Sequence, residues 1–301
     1  MNGVDQPSYL EICPPVEFDA KECLTFLSRS ELEMLYKISD GYVYKLFKVR
    51  DEMILSKIGF TQKSLKVEFP VNSPSKEARD TVAAYIWEWF DMDKDIGLFY
   101  KMAKKDEILS RLVHTYHGLR IMCIPDLFEA LTWAIIGQQI NLTFAYTLKQ
   151  RFIEEHGDSL VFEGETYWLY PTHEKIAALE VEDLRELKFS TRKAEYVIGV
   201  AKAMANGELK KEELQKLQDS QDIRQALMNS RGIGAWTADY VIMKCFRRPD
   251  AFPIADVGLH NALKLQLGRE CKPTIEEIKE LGSKWEGWQA YATFYLWRSL
   301  L

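Results

Sequence analysis

Residues 227–263 read LMNSRGIGAWTADYVIMKCFRRPDAFPIADVGLHNAL, and this stretch decides the fold of the chain. The spacing predicts a short helix over 223–228, then the turn Ser230-Arg231-Gly232-Ile233-Gly234, then a second apolar helix over 235–246. Two glycines flanking one aliphatic residue between two helices make a tight helix–hairpin–helix. Glycine permits positive φ in such a turn and lets a partner's backbone come close. The first N–H groups of the second helix have no partner within it, so they point outward, ready for a phosphate. After a basic loop containing proline, Asp256 stands directly ahead of a third amphipathic helix marked by Leu259, Leu263 and Leu267. In that position an aspartate is first of all a helix cap.

Upstream, the hydrophobic period changes. Residues 19–35 have helical spacing, with Leu24, Leu27, Leu32 and Leu35 as the apolar positions. Between 41 and 71 the period is two, which predicts a meander of short strands, and a helix over 76–90 can pack on that sheet. The stretch 89–95 marks a boundary between an N-terminal α+β domain, 1–94, and a helical core, 95–301. Within the core the spacing predicts helices over 96–103 and 107–116 and a long one from Pro125 through Leu148. A small β flap follows at 157–171. Short helices over 171–178, 181–187, 192–206 and 211–217 come next, with Thr172, Glu182 and Thr191 as polar caps. The fold class is α+β, mainly helical, with a small antiparallel sheet near the N-terminus. Gln138, Gln139 and Asn141 interrupt the apolar pattern of the long helix, and one reading of them is a buried amide pair that stabilises helix packing.

The chain has 301 residues, of which 47% are hydrophobic and 28% charged, the balance of an ordinary soluble protein with room for a large core. No apolar run reaches the ~18 residues a membrane helix needs. The opening MNGVDQPSYLEIC has no basic region followed by an apolar one, so no signal peptide is expected, and the expected location is cytoplasmic. Cys13, Cys23, Cys123, Cys245 and Cys271 are scattered without metal-ligand spacing, and the five histidines are not paired with acids or cysteines. Neither a metal nor a cofactor is expected.

The net charge of −6 argues against nonspecific coating of DNA, but its distribution is uneven. Residues 1–100 carry 12 basic and 17 acidic side chains, and the remainder carry 27 and 28. Locally the sign reverses. Lys188, Arg192, Lys193 and Lys202 face the single acid Glu195 between 188 and 204, and Arg231, Lys244, Arg247 and Arg248 gather around the hairpin. A few phosphate contacts are enough to position a protein on DNA. A solvated helix face is the plainer reading of the 188–202 group.

The motif GIGAWTADY with an aspartate in FPIAD some twenty residues on resembles the helix–hairpin–helix DNA glycosylase superfamily, in its alkylpurine branch. FEALTWAIIGQQI (128–140) and WEGWQAYATFYLW (285–297) agree with it in order. The match covers roughly 95–301, and the first ninety residues are similar only in layout. The resemblance implies two helical subdomains flanking an active-site cleft, a monomer, and double-stranded DNA containing alkylated bases as partner. It implies Asp256 as the catalytic carboxylate and Trp236, Tyr240, Trp297 and Gln138 around the base. Gln139 or Ile140 would fill the gap left by the extruded base. Arg231, Gly232, Ile233, Gly234 and Lys193 would contact the DNA backbone. Close relatives have leucine where this chain has Gln139, and Leu-Pro where it has Ser230-Arg231. Branches that also cut the sugar–phosphate backbone have a lysine at the Trp236 position, so its absence implies glycosylase activity alone.

These residues suit the chemistry. A glycosylase must take the base out of the stack before reaching the bond to the sugar. That bond breaks through a cationic, oxocarbenium-like state, which a nearby carboxylate stabilises while it orients or deprotonates water. Trp236 and Tyr240 are four apart on one helix and share a face. Aromatic faces attract a cationic base by about 0.5–2 kcal/mol. Asp239, mid-helix, is the competing acid and reads as a surface group or an intramolecular partner. Core packing is the plainer role for each aromatic, above all for the stripe Trp285, Trp288 and Tyr295. A noncatalytic damage-binding or structure-binding module on the same hairpin is the rival function. An 8-oxoguanine glycosylase/lyase is disfavoured by the missing lysine.

Overall fold

The computed structural model describes residues 5–61 and 63–301. β1 (Asp5–Gln6) and β2 (Tyr9–Ile12) form a hairpin ahead of α1 (Ala20–Leu27). Asp19 caps α1 by accepting from the Glu22 amide at 3.1 Å, and Ser28 ends it by donating its hydroxyl to the Leu24 carbonyl at 2.8 Å. The helix expected over 19–35 is thus cut short, because serine side chains at 28 and 30 compete for the backbone groups that would continue it. β3 (Lys37–Ser39), β4 (Tyr42–Val49), β5 (Glu52–Phe60) and β6 (Leu65–Glu68) follow, and the antiparallel sheet has the order β1-β2-β6-β5-β4-β3. Val43 lies opposite Ile58, and Ile58 opposite Val67, so the period-two apolar positions share a face. Ala78, Val82 and Ile86 of α2 (Lys76–Trp89) are buried.

Then come α3 (Gly97–Ala103), α4 (Leu109–Thr115), α5 (Leu127–Gly137) and α6 (Leu142–His156). One long helix from Pro125 through Leu148 was expected, and the structure breaks it in two. Gln139 adopts φ 55, and Asn141 caps the new helix by accepting from the Phe144 amide at 2.8 Å. The polar residues that interrupt the pattern are a turn and a cap, not a buried amide pair.

β7 (Ser159–Phe162) and β8 (Glu165–Trp168) form the expected flap, with Glu163 (φ 50) and Gly164 (φ 81) giving the two positive φ values of a tight hairpin turn. Tyr167 packs on Leu46 and Leu55 of the sheet, and Lys48 pairs with Asp158 at 3.1 Å. α7 (His173–Ala177), α8 (Val181–Glu186) and α9 (Thr191–Ala205) come next. Thr172 caps α7 as expected. The other two caps fall on Glu180 and Ser190 rather than Glu182 and Thr191, one or two residues earlier, where the backbone is still extended. α10 (Lys211–Gln215), α11 (Ser220–Met228), α12 (Ala235–Lys244), α13 (Val257–Gln266), α14 (Ile275–Ser283) and α15 (Gln289–Arg298) complete the chain.

The elements pack into two compact units that interleave in sequence. The first holds residues up to Val16, Ser30–Glu88 and Ile136–Glu208; the second holds Glu17–Arg29, Trp89–Ile135 and Leu209–Leu301. Neither unit is one of the continuous stretches 1–94 and 95–301. The segment around α1 belongs to the second unit through Asp19 N–H on the Gly118 carbonyl (2.9 Å), Phe26 on Phe294 (4.3 Å between ring centres) and Arg298 on Glu22 (2.9 Å). Trp285 and Tyr295 are core residues of the second unit, and Trp288 is half-buried there. No described helix is long and apolar enough to cross a membrane.

Candidate active site

The hairpin 230–234 joins α11 to α12 within the second unit. The Ile233 amide donates to the Ser230 carbonyl at 3.2 Å, and its side chain is buried, so whatever Ile233 offers a partner comes from its backbone. Only one of the two glycines uses the positive-φ region: Gly232 has φ 94, and Gly234 has φ −90. A Cβ on Gly234 would meet nothing within 4 Å. The fold itself makes no demand for glycine there. Gly234 and Ala235 are exposed, and Gly234, as the N-cap, gives α12 no side-chain cap. Arg231 is exposed beside them.

Asp256 caps α13, and the cap is also the centre of a larger arrangement. Its Oδ1 accepts from the Leu259 amide at 2.8 Å and from the Trp297 indole N–H at 2.8 Å. Its Oδ2 accepts from the Trp236 indole N–H at 3.0 Å. α12, α13 and α15 thus each contribute one donor to a single buried carboxylate. The loop before it is braced by the His260 ring, which meets the Ile254 carbonyl at 2.8 Å. Trp236, Tyr240 and Trp297 form a row, with ring centres 5.7 and 6.2 Å apart and planes tilted by 34° and 35°. The two tryptophans are half-buried and Tyr240, between them, is buried.

Two residues that sequence reasoning passed over support this arrangement. Trp133 of α5 donates its indole N–H to the Tyr240 hydroxyl at 3.0 Å and so fixes the middle ring. It lies inside the FEALTWAIIG motif, which was the available signal. Gly258 is the other: a Cβ there would sit 2.9 Å from Asp256 Oδ1 and 3.1 Å from Trp297 Nε1. A glycine in the first turn of a helix is unfavourable by propensity, and that cost was its signal.

The basic residues assigned to the hairpin need correction. Lys244 is buried, donates to the Met122 carbonyl, and has its nitrogen 4.9 Å from the centre of the Phe294 ring. Burial pulls its pKa down to about 7. Arg247 pairs with Asp91 (3.4 Å) and Asp93, and Arg248 donates to the Leu217 carbonyl. A helix end and a loop that must be tied to the core recruit these cations, and of the four only Arg231 is exposed. Asp239, the competing acid, is buried against Arg224 at 3.2 Å, and burial lifts its pKa to about 6 although Arg224 opposes the shift. It is an intramolecular partner, not a surface group.

Gln138, Gln139, Ile140 and Lys193 belong to the first unit. Gln139 is exposed at the apex of the turn between α5 and α6, and Gln138 and Ile140 are half-buried beside it. Lys193 donates to the Ile136 carbonyl at 2.6 Å, closing the last turn of α5, and burial lowers its pKa. Lys188 and Arg192 remain exposed. Among the described residues no group of three or more His, Cys, Asp or Glu is arranged to hold a metal ion.

Residues 132–286 match the family model described as HhH-GPD superfamily base excision DNA repair protein. The chain belongs to that superfamily. Residues 13–131 match the model described as 8-oxoguanine DNA glycosylase, N-terminal domain. A DNA-3-methyladenine glycosylase of Bacillus subtilis is 44% identical over 289 residues, 95% of either chain. A 3-methyladenine DNA glycosylase from Archaeoglobus fulgidus shares the fold, with a TM-score of 0.83 at 22% identity over 95% of this chain and 97% of that one. The 8-oxoguanine glycosylase/lyase of Clostridium acetobutylicum, in complex with double-stranded DNA, does so with a TM-score of 0.77 at 19% identity over 99% and 97%. Membership places the chain among the DNA glycosylases of base excision repair, on the mainly helical fold with its small N-terminal sheet that the sequence predicts.

Proposed function

We propose that this chain is a monofunctional glycosylase that acts as a monomer on double-stranded DNA, extrudes alkylated purines such as 3-methyladenine and 7-methylguanine, and hydrolyses their bond to the sugar. The observation that supports this best is the Asp256 carboxylate, fixed by two indoles and an amide. Its two oxygens are not equivalent. A carboxylate oxygen has two acceptor directions. Oδ1 uses both, on Trp297 and Leu259, whereas among the described residues Oδ2 accepts only from Trp236. Oδ2 is therefore the oxygen assigned to the cationic sugar carbon or to the attacking water. A preorganised anion lowers the barrier because it need not reorient as the positive charge develops.

The leaving base explains the aromatic row. An N-alkylated purine is cationic, attracted to indole and phenol faces, and already a good leaving group, so no dedicated general acid is required. Trp236 occupies the position where the resemblance implies a Schiff-base lysine in lyases, and an indole cannot take that role. The hairpin amides around Gly232 and Gly234, with Arg231, would take DNA phosphates. Gln139 with Ile140 would fill the vacated stack, Gln138 would border the base, and Lys193 would support that turn from α9. A noncatalytic binding module has no use for a carboxylate braced by two indoles, which weighs against the rival reading.

The test is to incubate methylated DNA with the protein and separate the freed bases by chromatography. Release of 3-methyladenine and 7-methylguanine is expected, with no covalent adduct on borohydride trapping. Tight duplex binding without base release would favour the noncatalytic module, and a trapped adduct would overturn monofunctional action.

A further inference from the structure

α15 carries two buried polar groups that its surroundings leave unmatched. Gln289 Oε1 and Thr293 Oγ1 are both shut off from solvent, and neither meets a hydrogen-bond partner among the described residues. Thr293 is 0% exposed and Gln289 is half-buried. A helical threonine can satisfy its hydroxyl on the carbonyl four residues back. Thr25, Thr81, Thr115, Thr132 and Thr147 all do so in this chain, at 2.8, 2.9, 3.0, 2.6 and 3.1 Å. Thr293 does not, so its hydroxyl is not tied to its own helix. On a neighbouring side of α15 the Tyr291 hydroxyl donates to Asp91 at 2.7 Å, and the Tyr295 hydroxyl to the Leu119 carbonyl at 3.1 Å. The mismatch thus falls on one stripe of the helix. That stripe continues to Trp297, four residues beyond Thr293 on the same side, whose indole N–H meets Asp256 Oδ1.

We propose that Gln289 and Thr293 bind one internal water, which sets the seat of α15 and so the point at which the Trp297 indole meets Asp256. A buried polar group left alone is costly, and one trapped water that bridges two of them removes the cost for both. The spacing suits it. Residues four apart on a helix have Cβ atoms about 5–6 Å apart, the span of two hydrogen bonds through one shared oxygen. The chemistry suits it too, because water donates to the Gln289 amide oxygen and either donates to or accepts from the Thr293 hydroxyl. A hard cation is poorly matched, since two neutral oxygens supply neither the charge nor the ligand number it needs. The start of the helix is already anchored, with the Ala290 amide on the Pro249 carbonyl at 2.9 Å. One turn ahead of Trp297 the water acts as a spacer. Without it the close-packed interior settles onto the stripe and carries Trp297 with it. The water site stands whether or not the chain cleaves DNA; only the value of the Trp297 contact rests on the glycosylase reading.

Crystals of the full chain that resolve ordered water test the site directly. In the wild type one water should lie within about 2.7–3.0 Å of both the Gln289 amide and Thr293 Oγ1. Thr293→Val is nearly isosteric and removes one of the two partners. The water should leave, and Tm should fall by roughly 2–4 °C. Thr293→Ser keeps the hydroxyl and should keep the water. Gln289→Met added to Thr293→Val should cost little more, because a water already gone cannot be lost twice. Trp297 reports on the seat of the helix. Its indole N–H signal in NMR, assigned with Trp297→Phe, should shift in Thr293→Val and stay near the wild-type position in Thr293→Ser. A dry site in the wild type overturns the proposal. So does a Tm that rises in Thr293→Val, because an orphan hydroxyl is better replaced by a methyl group. An unmoved Trp297 signal in Thr293→Val overturns the link to Asp256. None of these readouts involves DNA, so they stand apart from any failure of the glycosylase reading.

Discussion

Trp297 donates its indole N–H to Asp256 Oδ1 at 2.8 Å, across 41 positions of sequence. The same ring lies in the aromatic row, 6.2 Å from Tyr240. Trp297→Phe separates the two roles, because it keeps an aromatic face and removes the donor. A hydrogen bond to a charged group contributes about 1.5–3 kcal/mol. Single-turnover release of 3-methyladenine should fall by roughly ten- to a hundredfold, with affinity for the abasic duplex nearly intact. A parallel loss of affinity would mean that the ring, not its N–H, is what matters.

Asp256→Asn tests the carboxylate itself. The amide oxygen can still cap α13 and accept from Trp297. Its NH₂ group then faces the Trp236 indole N–H, donor against donor, where Oδ2 accepted at 3.0 Å. One buried donor left without a partner costs about 1–3 kcal/mol, so Tm should drop by a few degrees without loss of the fold. Release of 3-methyladenine should fall by at least about a hundredfold. A variant that folds and cleaves at the wild-type rate would sink the catalytic assignment, and Asp239 would be the next residue to test.

The two hairpin glycines should behave differently. Gly232 has φ 94, so Gly232→Ala is strained by about 1–3 kcal/mol and lowers Tm. Gly234 has φ −90 and open space around its missing Cβ. Gly234→Val should therefore lower Tm only by the modest cost of a poor N-cap residue and weaken binding to every duplex alike, since a partner's close approach is obstructed. Anisotropy titrations on several unrelated duplexes check this, and a loss confined to one sequence would contradict a backbone contact.

Lys244 gives a pH signature. Burial holds its pKa at about 7 in the fold, against an ordinary 10.5. Its pKa is depressed, so its full contribution to stability is present above about pH 10.5 and is lost as pH falls towards 7. In that window the unfolded chain binds one more proton, and stability rises by at most about 1.4 kcal/mol per pH unit. Lys244→Met keeps the length of the side chain and removes the titration. Its Tm should exceed that of the wild type at pH 7, and the gap should narrow by pH 9. A gap that stays constant with pH would show that the hydrogen bond to Met122, not the charge, sets the balance.

What the sequence alone determined was local in origin. Gly-Ile-Gly between two apolar helices defined the hairpin, and the position of Asp256 made it a cap because capping involves residues only three apart. The period-two run at 41–71 defined β4, β5 and β6, since alternation along a strand needs no knowledge of its neighbours. Only the tertiary structure decided which charges are free for a partner: Lys244, Arg247 and Arg248 look like phosphate ligands beside a hairpin, yet all three are held by groups of the chain itself. It alone decided that Asp256 receives one donor from each of three helices, that Trp133 fixes Tyr240, and that the first unit combines 30–88 with 136–208. The physical reason is range. Helix periods, turns and caps are set by interactions within a few residues, whereas burial of a cation and convergence of indoles on one carboxylate depend on which distant segments pack together.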